Sequence, residues 1–392
     1  MIAGKYVAKS AKNGNERPSI PAPVKFELWT KSGGRCEFEG CNKPLWYDGL
    51  TFAKINGSNI AHIISWTPNG PRGDENLSEK LATDVNNLML TCPIHNHLID
   101  SKDHIEEYSV NRLREMKRKH EERIERVTSI MPNMQSTIIK YSANIGAQAI
   151  VIDEKEIAST ILPDYYPDGN IRSIDLEHST WYDNDPDFWQ NEVKHLTNVF
   201  NQQILPDINN GNIKHISLFG FAPQPLLIYL GYLLNDKYRI NSYQLNRNGN
   251  WLWTTEQNPI EFNYNKPQLK NGAEPVLKLQ ISGYYNDERV YNALPGRKID
   301  IWELSVKNAN SDIIKTKENL YDFKQSVRKL LEEIKLHYKE GTILKIFPVM
   351  PVSACIELGR LYLPKADMPL EIYNQESIDA GFKYAISIKG DL

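Results

Sequence analysis

The chain is poor in cysteine, with four in 392 residues. That excludes a disulfide-stapled scaffold, which needs a far denser set. Long apolar runs are missing as well. No stretch approaches the roughly 20 apolar residues that cross a bilayer, so no membrane helix is expected. The opening MIAGKYVAKSAKNGNERPS lacks the apolar segment of a secretory signal. Residues 1–16 therefore read as a flexible polar arm, and the protein as cytoplasmic, where thiols stay reduced. The second half has no Walker loop, no GxGxxG turn and no GxSxG nucleophile elbow. It is expected to bind a ligand and not to be a second enzyme.

The formal net charge of −3 hides an asymmetry. The front third is slightly basic and the remainder acidic, which suits a nucleic-acid-facing front. The length allows two domains, or three. Residues 17–130 combine short apolar segments and many turns with one long helix, SVNRLREMKRKHEERIERVTSI. There Leu113, Met116, His120, Ile124 and Val127 recur at helical spacing behind Ser109 as N-cap. Residues 131–150 lose that period and read as a linker. Over 151–392 apolar strands alternate with helices, the pattern of an α/β domain.

This second domain repeats itself, over 215–245 and 343–373. LFGFAPQPLLIYLGYL from Leu218 aligns with IFPVMPVSACIELGRL from Ile346, at an offset of 128. Phe219 meets Phe347, Pro223 meets Pro351, Gly231 meets Gly359 and Leu233 meets Leu361. Each copy reads as a buried strand, a Pro-bearing loop and a helix that brings Gly to a close contact. Two unrelated strand–loop–helix units would also look alike; a duplication giving two related halves is the preferred expectation. Ligands of open α/β sheets bind beyond the carboxyl ends of the strands. The loops Ala222–Pro225 and Pro348–Pro351, with Pro223, Gln224, Pro225 and Pro351, are thus the leading ligand-binding candidates.

Three of the four cysteines cluster in the front domain. Cys36 and Cys41 are followed by Cys92 and His95, a Cys-x4-Cys and a Cys-x2-His from two turns. That set suits a tetrahedral structural zinc ion. Buried free thiols are the alternative, and Cys355, among apolar neighbours, fits that description. Between the two pairs lie AHI at Ala61–Ile63 and Asn87-Leu88, ahead of CPIHNHLID at Cys92–Asp100. Together, over about residues 17–126, these motifs resemble the HNH (ββα-metal) endonucleases. The resemblance implies an α+β, zinc-braced ββα-metal domain. His62 would be the general base, and Asn87 would position its imidazole through a hydrogen bond. A magnesium ion would assist hydrolysis of double-stranded DNA with little sequence preference. Two positions depart from the family. Ala61 stands where an acidic metal ligand is common, and Asn96 where a histidine is common, with His97 next. Asn96 and His97 are the remaining metal-ligand candidates. Asp100 is expected to cap or brace the helix start.

The repeat resembles the SAVED domain, two fused Rossmann-like (CARF-like) halves that bind cyclic oligonucleotides. SLFGFAPQPLLIYLGYLLND from Ser217, WLW from Trp251, KIDIWELSV from Lys298 and CIELGRLYLP from Cys355 carry it. HNH fused to SAVED resembles one effector class of CBASS antiphage signalling. There a cyclic dinucleotide made on infection switches on a DNA-degrading nuclease. A ligand-induced homo-oligomer, dimer to tetramer, would follow from such a switch. Arg247, Trp251 and Trp253, around an Asn-Gly turn, suit base stacking. Tyr284, Arg297 and Lys298, near a Pro-Gly turn, suit a base and phosphate. Tryptophans are as readily core, and basic pairs in turns as readily solvated. Two other functions stay open: a constitutive, site-specific restriction-type nuclease whose back half reads DNA, and a catalytically dead zinc module.

Overall fold

A computed structural model describes residues 17–145, 152–175, 182–183, 185, 187–254, 259–377 and 381–390. The expected arm, 1–16, lies outside the described residues. The chain divides into two compact units, Met1–Met131 and Pro132–Leu392.

The first unit runs α1 (Ala22–Lys31), β1 (Asn59–His62), α2 (Ser78–Leu81), β2 (Leu88–Thr91), α3 (Pro93–Asp100) and α4 (Val110–Thr128). β1 and β2 pair antiparallel, with Asn59 opposite Thr91 and His62 opposite Leu88. Every residue of β2 is buried. Helix α3 starts directly after it, with Cys92 as N-cap and Pro93 at the first position, where a missing N–H costs nothing. Helix α4 starts at Ser109, whose hydroxyl accepts from the Arg112 N–H. Its Leu113, Met116, His120 and Ile124 are buried as the periodicity requires, while Val127 is exposed. The cores are small. Leu28, Leu45, Leu88 and Leu90 pack around Cys36 and Cys92, and Ile63, Met89, Ile99 and Leu113 form a second cluster.

The second unit runs β3 (Gln135–Ser142), α5 (Glu154–Thr160), β4 (Tyr166–Ser173), α6 (Phe188–Val199), α7 (Leu205–Asn209), β5 (Ile216–Phe221), α8 (Gln224–Leu234), β6 (Ile240–Ser242), β7 (Phe262–Asn265), β8 (Glu274–Gln280), α9 (Asp287–Ala293), β9 (Ile299–Val306), α10 (Lys317–Leu336), β10 (Leu344–Val349), α11 (Val352–Leu361), β11 (Leu370–Ser377) and β12 (Gly381–Ile388). One parallel sheet has the order β4-β3-β5-β6. The other has the order β12-β11-β10-β8-β9-β7, parallel in the middle with antiparallel edges.

One expectation is corrected here. Residues 135–142 of the 131–150 segment are not a linker, because β3 occupies an interior place between β4 and β5. Its Ile139 and Tyr141 join one core cluster and Ile138 another. A strand covered on both faces shows no polar alternation, and eight residues are too few to reveal it otherwise. Residues 146–150 of that segment lie outside the described residues.

The two repeat copies occupy equivalent places, β5–α8 in one sheet and β10–α11 in the other. Phe219 stacks on Tyr243 at 4.5 Å and Phe347 on Tyr373 at 4.4 Å. Helices α8 and α11 cross where the repeat glycines sit. A Cβ on Gly231 would lie 2.0 Å from the Ile356 carbonyl oxygen, and one on Gly359 would lie 1.8 Å from that of Ile228. The same offset of 128 relates Ile228 to Ile356 and Gly231 to Gly359. Backbone therefore meets backbone around a local two-fold, which only glycine permits.

Candidate metal centre and ligand cleft

The metal centre begins with a tight hairpin. Arg35 bridges Pro44, the Cys36 N–H donates to the Lys43 carbonyl, and positive φ at Gly40 and Asn42 turns the chain. Cys36 and Cys41 thereby face Cys92 and His95 at the start of α3. The four donor atoms all lie within 4.8 Å of one another. His95 Nδ1 is 3.2 Å from Cys92 Sγ and 3.6 Å from Cys36 Sγ. Tetrahedral zinc with its short bonds places donors roughly 3.5 Å apart, so this set fits the ion. Phe38 lies flat on the His95 ring, 4.0 Å away, and fixes its plane. The Cys92 N–H donates to Cys36 Sγ. Burial pushes the Cys36 thiol up to about 12. A dication at the cluster would reverse that and hold it as thiolate.

His62 closes β1 and is buried. Its Nε2 lies 2.9 Å from the Ala82 carbonyl oxygen, which can only accept. The neutral ring therefore carries its lone pair on Nδ1. Burial is the largest influence on this imidazole and lowers its pKa, keeping it an unprotonated base at neutral pH. Asn87 does not reach the ring, contrary to expectation. Its carboxamide donates to the Ile64 and Leu81 carbonyls and accepts from the Ile64 N–H. The strand register places Asn87 one step past Leu88, where its carbonyl takes the Ile63 N–H. It therefore secures the chain just after His62.

The sequence reading missed Arg72. This side chain, 6% exposed, donates to the carbonyls of Ile63 and Ile99 and pairs with Asp100 at 2.6 Å. It ties the end of β1 to the end of α3. Asp100 is the last residue of α3, so it braces the helix end and not the start. The signal was the run PNGPRGDEN, where a Cβ on Gly73 would lie 2.2 Å from the Pro68 carbonyl. A turn that tight presents Arg72 inward. Asn96 is half-buried and His97 exposed. Among the described residues, no second group of three or more His, Cys, Asp or Glu side chains converges, and His97 is not in the group that does.

In the second unit a cleft of about 490 Å³ opens at the carboxyl ends of the strands. Both repeat loops line it, with Pro223 and Gln224 from one and Met350 and Pro351 from the other. They touch: Gln224 Oε1 accepts from the Met350 N–H at 3.1 Å. Helices α8 and α11 both begin there, with Pro223 and Pro351 as N-caps, so two positive dipole ends face the cleft. Pro225 is buried at the second position of α8 and is not on the cleft wall. Arg247 is exposed on the rim, its Nε bonded to Ser311 Oγ and its backbone N–H to Asp312.

The structure does not bring the remaining candidates to the cleft. Trp251 is 2% exposed and packs edge-on to Phe219, and Trp253 packs against the same core. Trp251 is thus core and not a stacking platform. Tyr284 is exposed, and its hydroxyl bridges the Val306 carbonyl and the Ala309 N–H. Arg297 and Lys298 directly precede β9, at the amino edge of the sheet, away from the carboxyl ends. Arg297 pairs with Glu274 and Lys298 donates to the Asn271 carbonyl. Lining carboxamides were also missed, among them Gln244 after β6 and Asn374 in β11.

Residues 196–388 match the family model of SAVED, the SMODS-associated and fused to various effectors sensor domain. Similar solved structures include the Acinetobacter baumannii Cap4 SAVED/CARF-domain containing receptor with the cyclic trinucleotide 2'3'3'-cAAA, at 13% identity and TM-score 0.43, covering 80% of this chain and 66% of that one. The Moraxella osloensis Cap4 receptor aligns at 12% identity and TM-score 0.41, covering 81% and 70%. The chain thus spans just under two thirds of the first receptor's length. No curated protein matches. Among the described residues no helix is long and apolar enough to cross a membrane. Over residues 196–388, the back of the chain is thus similar to the SAVED sensor domain.

Proposed function

We propose that the protein is a DNA endonuclease of CBASS antiphage defence, switched on by a cyclic oligonucleotide. The observation that carries this reading is the cleft where both repeat loops of the SAVED domain meet. Such loops, facing two helix N-termini, suit a ligand with alternating bases and phosphates. A cyclic dinucleotide is the ligand of first choice, with Arg247 available to a phosphate.

The first unit is the effector in this reading. The run β1, α2, β2, α3, with four metal donors converging at the start of α3, resembles the ββα-metal nucleases and supports this role. His62 takes a proton from the attacking water at Nδ1, while Ala82 holds Nε2–H. Arg72 and Asn87 hold the chain that carries it. Magnesium, when bound, would neutralise charge on the phosphate and the leaving oxygen. Asn96 and His97 remain candidates to hold it. Zinc at the Cys3His centre is structural. The substrate is double-stranded DNA, cut with little sequence preference. Ligand-driven oligomerisation, dimer to tetramer, is the switch.

The test is plasmid cleavage with magnesium, with and without cyclic di- and trinucleotides, for the native protein and His62→Ala. Cutting only with one ligand, lost in His62→Ala while that ligand still binds, supports the reading. Cutting without ligand would favour a constitutive restriction-type nuclease. No cutting under any condition would leave a dead nuclease fold.

A further inference from the structure

The cleft is built from two like halves, but the halves differ at one pair of carboxamides. In the first half Ile216 pairs with Ile240, and in the second Leu344 pairs with Leu370. Ile216 and Leu344 are equivalent in the repeat, so Ile240 and Leu370 are too. Counting onward, Tyr243 answers to Tyr373, which their matching stacks on Phe219 and Phe347 confirm. The next residues, Gln244 and Asn374, are therefore counterparts, and both line the cleft.

Their bonding differs. Gln244 is consumed by the fold. Its Oε1 accepts from the Ser353 N–H at 3.2 Å and from Ser353 Oγ at 2.7 Å, and its Nε2 donates to the Leu245 carbonyl. It pins the second residue of α11. The second residue of α8, which Asn374 would pin by symmetry, is Pro225. Proline has neither the N–H nor a hydroxyl to offer. Asn374 is also one methylene shorter. The residue is 6% exposed, and its buried Nδ2 has no partner among the described residues. An amide nitrogen left unpaired in a buried place is costly and calls for an explanation.

We propose that Asn374 is the base-reading residue of this sensor. Its Nδ2 donates to an acceptor on a nucleobase edge, such as a purine N7. The inference rests on the reading of the cleft as the cyclic-nucleotide site. A neutral, planar carboxamide sets a donor beside an acceptor, the pattern that matches a base edge. A phosphate is better served by the cation on the opposite half, Arg247. The cleft is then symmetric in shape and asymmetric in chemistry: one carboxamide holds the protein and the other holds the ligand.

The test compares the full-length protein with Asn374→Ala and Gln244→Ala. Binding of cyclic diadenylate, cyclic diguanylate and cyclic triadenylate is measured by calorimetry, with ligand-free melting recorded for each protein. The 7-deaza form of the tightest purine probe is included. For Asn374→Ala we expect a loss of at least about tenfold for the tightest probe, and collapse of the preference among bases. Its ligand-free melting temperature should not fall, because the variant removes an unpaired group. Gln244→Ala should melt lower, since Ser353 loses its acceptor. Unchanged binding by Asn374→Ala, where the native protein binds, would overturn the base-reading role alone. An equal loss for all probes together with lowered melting would also overturn it, in favour of a structural role. If the native protein binds none of the probes, the cyclic-nucleotide reading of the cleft falls, and this inference with it.

Discussion

The two units keep their folds by different means. The first has two small apolar clusters and a set of four metal donors at the junction of its hairpin and α3. The second has an extended cluster that runs through both sheets and the helices between them, with two smaller clusters beside it. Small clusters leave room for a bound ion to add to the stability of a unit. A larger α/β unit supplies its own core. The same chain thus carries one part whose small clusters surround four converging metal donors and one whose core is extended packing.

The sharpest way to break this comparison is to remove the metal. A strong chelator, or Cys92→Ser, should unfold the first unit alone. Structural zinc contributes on the order of 10 kcal/mol of binding free energy. Calorimetry should then lose one transition and keep the other; a profile with both transitions intact would show that the Cys3His centre is not what holds the first unit. The converse substitution is Gly359→Val. Its side chain would collide with backbone at the α8–α11 crossing, at a cost of about 3 kcal/mol or more. The second unit should melt lower while the transition of the first is unchanged. Equal melting of variant and native protein would mean the crossing yields.

The smallest expected effect is a pH dependence confined to the second unit. His215 is buried under the Tyr165 ring, and burial lowers its pKa to about 4. A depressed imidazole adds stability that is present above its unfolded value near 6.5 and is lost as pH falls towards 4. The contribution is at most about 3 kcal/mol. Glu192, raised to about 7 by burial, acts in the opposite sense. The informative measurement is therefore the difference between the native protein and His215→Gln across pH 4 to 7. A difference that does not change with pH would remove His215 as the source.

Where function follows from short-range spacing, the sequence was readable. Cys36, Cys41, Cys92 and His95 converge because two short turns each present a pair. The repeat loops meet because Pro and Gly recur at fixed places around a strand and a helix. Where function depends on which end of a strand a residue occupies, it was not. Arg297 and Lys298 sit at a turn of suitable charge, but before β9 and not after it. Trp251 flanks an Asn-Gly turn and still turns into the core. The role of Asn87 depended on a strand register that its neighbours do not encode. Arg72 was hidden because an inward guanidinium in a polar loop looks like any exposed arginine until its carbonyl partners are placed.

The α8–α11 contact has a mechanical consequence. At Gly231 and Gly359 backbone meets backbone, with no Cβ to act as a spacer at the contact point. Such a joint resists sliding, because any translation drives a Cα into a carbonyl, but it leaves rotation about the contact point cheaper. Both helices begin at the cleft. A molecule bridging the two loops would therefore bear on both helix starts at once, and through them on the crossing that joins the two halves.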